Sequence, residues 1–295
     1  MKRKMLAIVL TLCMILSMMP TAAFAAGDDF HDIDGHWAEE VIEKWADRNI
    51  VSGMGNNQFN PNGEMTRAQA AAVFANFFGL SKKADVSHFT DVEDAWYTDA
   101  IAMCVEAGIM SGVGNNKMDP HGTLTREQMF TMFANGLGLK PEPTSDKEFA
   151  DDHKTSGWAQ GYVNALVNRG FVSGMGGNKL APDQEINRAS VMALIDSTVA
   201  EYVTESGSTV EAPKDGGMVI VVADDVTITG ELSGTVLAVG GDTKITVEKA
   251  TADAEVVVAS GSENVTVSGE FAGTVTVAAN DTTVPWKMQL KKRRS

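Results

Sequence analysis

The stretch Ile50-Val51-Ser52-Gly53-Met54-Gly55-Asn56, followed by Pro61 and Thr66-Arg67, returns twice further along the chain. It reappears as Ile109-Met110-Ser111-Gly112-Val113-Gly114-Asn115 with Pro120 and Thr125-Arg126, and as Phe171-Val172-Ser173-Gly174-Met175-Gly176-Gly177 with Pro182 and Asn187-Arg188. A slide of 59 residues superposes the first two copies without a gap, carrying Phe30, Trp37, Ile42 and Leu80 onto Phe89, Trp96, Ile101 and Leu139. The third copy follows 62 residues after the second, with Trp158, Val163 and Leu194 in register and a short insertion at 153–156 between Phe149 and Trp158. Self-similarity at a fixed period marks a repeat architecture.

Working outward from the loop, each copy reads as helix, Gly-rich loop, helix. Before the loop, Trp37, Val41, Ile42, Trp45, Ala46 and Ile50 fall on one helical face, and Trp96, Ala100, Ile101, Cys104, Val105 and Ile109 repeat it, as do Trp158, Tyr162, Val163, Leu166, Val167 and Phe171. Cys104 occupies the place of Trp45 and Leu166, so it is expected to be a buried core thiol. After the loop, Thr66 with Gln69 and Thr125 with Gln128 form the side-chain pairs of a capping box. The helices they announce, 68–78, 127–137 and 189–199, are rich in Ala, Met and Phe, which predicts that they are largely buried. A two-helix unit cannot cover both its faces, so the three units are expected to pack around a shared core.

Beyond Ala200 the composition changes. Residues 201–217 are rich in Ser, Thr, Pro and Gly and read as a linker, whereas from Met218 Val, Ile and Thr alternate with small or polar residues, which is strand chemistry. This segment is also duplicated: 226–242 matches 265–281 at a spacing of 39. The expected fold is therefore a mainly α bundle of three helix-loop-helix repeats (28–80, 88–139 and 148–200), then the linker, then a small all-β domain over 218–284, built as a sandwich or a short β-solenoid. A basic tail, 285–295, closes the chain.

At the other end, Lys2-Arg3-Lys4, an apolar run from Met5 to Met19 and the small-residue stretch to Ala26 predict a secretory signal peptide over 1–26. Leu12 before Cys13 argues against a lipoprotein signal. No later stretch reaches the roughly 20 apolar residues a membrane span needs, so the mature chain is expected to be exported without a transmembrane segment. Cleavage lowers Lys+Arg from 24 to 21 against 39 Asp+Glu, a formal charge of about −18, and leaves Cys104 as the sole cysteine. Such a surface repels phosphate and excludes nucleic acid as a partner, and one cysteine excludes an internal disulfide.

Arg67, Arg126 and Arg188 stand at the first position of their helices, where a cation opposes the helix macrodipole by ~0.3–1 kcal/mol. Either a carboxylate such as Asp32, Asp91 or Asp151 neutralises each of them, or they wait beside the helix N-terminus for an external anion. The loop residues Gly53, Met54, Gly55, Gly112, Gly114, Gly174, Met175 and Gly176 provide backbone amides that a polar ligand can approach closely. Trp37, Trp96 and Trp158 offer flat faces for a sugar ring. Each part also has a purely structural use: glycines as helix caps, tryptophans in the core, arginines as ion-pair partners.

The order Phe-x-Asp, Trp-Ala or Trp-Tyr, the Ser-Gly loop, Pro, then Thr-Arg resembles the S-layer homology (SLH) domain, present as three tandem copies over about residues 28–203. The resemblance implies a pseudo-threefold spindle that anchors bacterial surface proteins. In that family a secondary cell-wall polysaccharide attached to peptidoglycan lies in grooves between repeats, often through a pyruvylated N-acetylmannosamine. The family's Thr-Arg-Ala-Glu motif falls on Thr66-Arg67-Ala68-Gln69, Thr125-Arg126-Glu127-Gln128 and Asn187-Arg188-Ala189-Ser190, which implies that Arg67, Arg126 and Arg188 bind the ketal carboxylate. The acidic fourth residue is missing from every copy, and the third also exchanges Thr for Asn, so the first two repeats are expected to be the better-preserved contributors.

The leading expectation is a non-catalytic wall anchor, without cofactor or metal, displaying the β-domain at the cell surface. A surface-tethered carbohydrate-active enzyme is the alternative, but 218–284 holds no His and no Cys, and Glu231 and Glu270 read as solvated turn residues. A calcium-dependent structural role for Asp32, Asp34, Asp91, Asp94, Asp151 and Asp152 is the third reading, without an EF-hand pattern to support it.

Overall fold

A computed structural model describes residues 30–214, 217–239, 243–259, 265–277 and 289–290. The signal peptide expected over 1–26 and most of the basic tail expected over 285–295 lie outside the described residues.

Each repeat contributes two helices: α1 (Glu39–Asp47) and α2 (Arg67–Phe77), α3 (Thr98–Glu106) and α4 (Arg126–Gly136), α5 (Gly157–Asn168) and α6 (Arg188–Thr198). Both capping boxes form, with Thr66 Oγ1 accepting from the Gln69 amide and Thr125 Oγ1 from that of Gln128, and Asn187 Oδ1 caps α6 through the Ser190 amide at 2.8 Å. The second helix of each repeat packs on the first helix of the next, α2 on α3, α4 on α5 and α6 on α1, so the three units close into a ring. At its centre Met65 N donates to Ile186 O, Ile186 N to Leu124 O and Leu124 N to Met65 O, all at 2.9–3.0 Å. Equivalent backbone positions of the three repeats thus satisfy one another around a pseudo-threefold axis.

The core carries the predicted stripe. Ile42, Trp45, Ile101, Cys104, Val163 and Leu166 are buried, together with Phe74, Phe77, Phe130 and Phe133 of the second helices. Cys104 is fully buried, its Sγ faces Ala71 O at 3.4 Å, and desolvation pushes its thiol up to about 12. Trp45 keeps its indole N–H satisfied by Asp196 Oδ1 at 3.1 Å.

The β-domain is a parallel solenoid, not a sandwich. Strands β1 (Val199–Val203), β3 (Met218–Val221), β5 (Thr235–Ala238), β7 (Glu255–Val258) and β9 (Thr274–Val277) form one five-stranded sheet. The other holds β2 (Thr209–Glu211), β4 (Val226–Leu232), β6 (Thr243–Ala250), β8 (Val265–Phe271) and β10 (Gln289–Leu290). Every pairing is parallel and joins one coil to the next. The 39-residue period spans two coils, since Val236 stands beside Val256 and Val256 beside Val275.

Residues expected to form a linker are part of this structure. The helix α6 runs directly into β1, and the following turn supplies β2, so the solenoid starts at Val199. The central strands of its first sheet, β3, β5 and β7, are buried on both faces. Val219, Val221, Val236, Ala238, Val256 and Val258 fill the solenoid interior, while Met218, Ile220, Leu237 and Val257 join the core of the helical ring. Tyr202 locks the junction: its ring stacks on Phe77 at 5.5 Å, meets Trp45 edge-on at 5.4 Å, and its hydroxyl donates to Phe77 O at 2.7 Å.

Candidate functional site

The three arginines are turned inward, toward the neighbouring repeat. Arg67 donates from Nε to Met118 O at 2.7 Å and from Nη2 to Ser111 O at 2.6 Å. Arg188 does the same around the ring, from Nε to Phe59 O and from Nη2 to Ser52 O, both at 2.8 Å. Arg126 donates from Nε to Leu180 O at 2.8 Å. Arg67 and Arg188 are buried and Arg126 partly so. Burial lowers all three pKa values, that of Arg188 to about 10, and nearby carboxylates oppose the fall, so the guanidinium groups stay charged at neutral pH.

Asp32, Asp91 and Asp151 reach the same peptides from the other side. Asp32 accepts from the amides of Phe59 and Asn60, Asp91 from those of Met118 and Asp119, and Asp151 from those of Leu180 and Ala181, at 2.7–2.9 Å. Residues 59, 118 and 180 are therefore pinned twice, the amide by an Asp of their own repeat and the carbonyl by an Arg of a neighbour. Desolvation works against the charged Asp, but the two amides prevail and hold each carboxyl below its ordinary range. Among the described residues no group of His, Cys, Asp or Glu has the arrangement of a metal site.

At the helix N-termini the first amides are taken by carbonyls of the protein. Arg67 N and Ala68 N donate to Gly122 O and Pro120 O, Arg126 N and Glu127 N to Gln184 O and Pro182 O, and Arg188 N and Ala189 N to Gly63 O and Pro61 O. Together with the capping side chains, these carbonyls use the first three amides of each helix.

The Gly-rich loops divide into a packed and an open part. A Cβ at Gly53 or Gly112 would lie 2.6 Å from the ring of Phe30 or Phe89, and one at Gly174 closer still to Phe149, so the first glycine exists to let the repeat's opening Phe pack on the loop. Gly55 and Gly114 adopt positive φ, +93° and +101°, with open space around them; in the third repeat Gly176 does not, and Gly177 takes that role at +73°. The amides of Met54, Val113 and Met175, expected to be open to a ligand, donate across their own loops to Gln58, Lys117 and Lys179 O at 2.6–2.7 Å.

What the loops do present is apolar. Met54, Val113 and Met175 are exposed, and so are Trp37, Trp96 and Trp158, at 66%, 67% and 55%. The tryptophans therefore leave the buried stripe on which helical periodicity placed them: Trp37 and Trp96 precede their helices and Trp158 sits in the first turn of α5. Each groove combines parts of all three repeats. In one, of about 370 Å³, the Ser52–Met54 loop and the α2 residues Gln69 and Asn76 meet Trp96 of the second repeat and Arg188 of the third. In another, of about 280 Å³, the Ser173–Met175 loop and Ser190 and Ser197 of α6 meet Trp37 of the first repeat and Arg126 of the second. Trp158 lines a separate depression with Pro141, Pro143, Gln160 and Asn164.

A residue absent from the sequence-based set also enters the site. Lys147 donates to Ser173 O at 2.7 Å, the carbonyl that corresponds to Ser52 O and Ser111 O, each of which is held by the arginine of a neighbouring repeat. Its signal is visible in the sequence: two residues before the opening Phe, the third repeat has Lys147 where the second has Ser87.

Residues 29–71, 88–130 and 148–192 match the S-layer homology domain. The surface-layer 125 kDa protein of Lysinibacillus sphaericus is 32% identical over 253 residues, which cover 84% of this chain and 20% of that protein. S-layer protein EA1 of Bacillus anthracis is 26% identical over 88% of this chain and 30% of its own length. An amylopullulanase of Thermoanaerobacterium thermosulfurigenes is 34% identical over 59% of this chain and 10% of its own. The chain thus spans less than a third of the length of each of these relatives.

Proposed function

Because the chain carries three tandem S-layer homology domains and aligns with surface-layer proteins, we propose that it is a non-catalytic anchor. It attaches to the bacterial cell wall by holding a secondary wall polysaccharide in the grooves between its repeats. The observation that supports this most is the exposure of Trp37, Trp96 and Trp158, large apolar side chains left at the surface beside exposed Met54, Val113 and Met175. Indole faces beside small polar groups suit pyranose rings, which have an apolar face and a hydroxylated rim. Arg188 and Arg126 each line one of these grooves and bias them toward an anionic sugar. Several weak sites on one rigid ring would give retention by avidity along a polymer.

The relation to an amylopullulanase makes an anchored enzyme the second reading. In the described solenoid Glu231, Lys249 and Glu270 stand side by side on successive coils, and Glu231 pairs with Lys249 at 2.6 Å. With a lysine between the two carboxylates, this ladder supports packing of the coils rather than hydrolysis.

Sedimentation of the protein with cell walls tests the anchor. The wild type should pellet with intact walls and stay soluble with walls stripped of their secondary polymer, and the Trp37→Ala/Trp96→Ala/Trp158→Ala variant should remain in the supernatant with both. Pelleting that ignores stripping would overturn the proposal.

A further inference from the structure

The two ends of the solenoid are finished differently. At the start, Val203 and Ala212 close the interior, and the edge strands carry exposed Glu201 and Glu211, the latter 3.8 Å from Lys214. Charges of this kind keep foreign strands off a sheet edge. At the far end β9 reads Thr274-Val275-Thr276-Val277, without a charge, a proline or a bulge. Val275 extends the interior row of Val236 and Val256, and Val277 that of Ala238 and Val258. Those four are 0% exposed, whereas Val275 and Val277 are only half-buried. Thr274 N donates to Ala254 O at 2.9 Å, so the main-chain groups of Thr274 and Thr276 face β7 in this parallel ladder. Those of Val275 and Val277 face outward, and among the described residues no strand pairs with them.

We propose that this edge docks on the same edge of a second copy of the chain, β9 against β9 about a twofold axis. The side chains fix the register, because directly opposed residues of an antiparallel pair share one face of the sheet. An axis between Val275 and Thr276 sets an inward valine against an outward threonine and is excluded. An axis through Val275 sets valine against valine and Thr274 against Thr276, joins the two interiors into one, and lets the outward main-chain groups of both Val275 residues exchange two hydrogen bonds. The contact continues the five-stranded sheet from β1 to β9 into its twin, and being isologous it closes at two copies. The ring covers the outer faces of β3, β5 and β7, so this axis, perpendicular to the sheet, leaves both rings on one side of it. On the wall-binding reading the pair grips one surface with two rings, though the pairing itself does not rest on that reading.

Sedimentation equilibrium of the chain lacking the leader expected over 1–26 tests the pairing. The weight-average mass should rise with concentration to twice the monomer value and stop there. Val275→Pro removes an outward N–H and leaves the pairing with β7 intact, so it should hold the mass at the monomer value with the circular dichroism of the wild type. Val275→Cys gives a readout that does not depend on the proline variant folding. Opposed residues of a hydrogen-bonded antiparallel pair stand about 5.5 Å apart at Cα, within disulfide reach, so mild oxidation should join two copies in a reducible dimer. Thr274→Cys, which faces Thr276 of the other copy rather than itself, should not cross-link, and buried Cys104 takes no part. A wild type that stays monomeric, a mass that grows past two copies, a folded Val275→Pro variant that still doubles, or cross-linking as efficient from 274 as from 275 would overturn the proposal. A monomer whose Val275 amide resists hydrogen exchange would also overturn it, by showing that the chain covers its own edge.

Discussion

Truncating Arg188 to Ala tests whether the arginines hold the ring together. Arg188 joins the third repeat to the first across 129 residues of chain, donating to Phe59 O and Ser52 O and lying over the Phe59 ring at 4.4 Å. Two charge-assisted bonds are worth ~1.5–3 kcal/mol each, and their loss strands buried carbonyls. Against this, truncation relieves the cost of burying a guanidinium, the same cost that lowers its pKa to about 10. The expected net loss is ~2–4 kcal/mol. For a helical domain of this size that corresponds to a fall in Tm of roughly 5–15 °C, measured by calorimetry and by urea denaturation. Arg126→Ala removes one such bond from a partly exposed side chain and should cost only ~1 kcal/mol. Arg188→Lys keeps the charge but lacks the fork, and should fall between wild type and Ala. If Arg188→Ala melts within a degree or two of wild type, or if Arg126→Ala is the more damaging change, the arginines do not close the ring and their burial needs another explanation.

Two further outcomes follow from the same contacts. The carboxyls of Asp32, Asp91 and Asp151 have pKa values lowered by the amides they accept from, so their stabilisation is complete above the unfolded value of ~3.9 and is lost as pH falls through the lower folded values. Thermal melts should therefore be flat from pH 7 to about 5 and drop below about pH 4, with a smaller acid drop in the Asp32→Asn/Asp91→Asn/Asp151→Asn variant. At the domain junction, Tyr202→Phe should cost ~1 kcal/mol for its bond to Phe77 O and Tyr202→Ala ~3–5 kcal/mol. Urea denaturation of the Ala variant should also resolve solenoid and ring as two transitions; a single unshifted transition would show that Tyr202 does not couple them.

Local chemistry made much of this legible. Capping boxes, the stripe through Ile42, Trp45, Ile101 and Cys104, and the gapless slide between repeats all act within one or two turns of helix, where sequence spacing and spatial spacing agree. The partners of the arginines did not follow from the sequence, because Arg67 meets Ser111 and Arg188 meets Ser52 across 44 and 136 residues, and only the closed ring brings them together. Trp37, Trp96 and Trp158 fall on the stripe by periodicity, yet two of them precede their helices and the third stands in the first turn of α5, so their side chains are free of the face that the count gave them. The choice between sandwich and solenoid turned on a signal that alternation hides. Met218-Val219-Ile220-Val221 and Val256-Val257-Val258 are runs, not alternations, and a run belongs to a parallel strand covered on both sides.

That second cover changes what kind of object the chain is. Had residues 201–217 been a flexible linker, the β-domain would explore a volume set by chain statistics, and its orientation at a wall would be undefined. Instead α6 continues into β1, the outer faces of β3, β5 and β7 are buried in the helical core, and Tyr202 stacks on Phe77 of a different repeat. Any ligand that fixes the ring therefore fixes the direction of the solenoid axis as well. The groove of Trp37 and Arg126 is formed partly by α6, the helix that becomes the first solenoid strand, with Ser190, Leu194 and Ser197 on its wall. Polysaccharide held there would bear on the element that joins the two domains. A wall-bound chain should consequently show slower hydrogen exchange through α6 and β1 than a free one, and protection confined to the loops would mean that the grip stops at the groove surface.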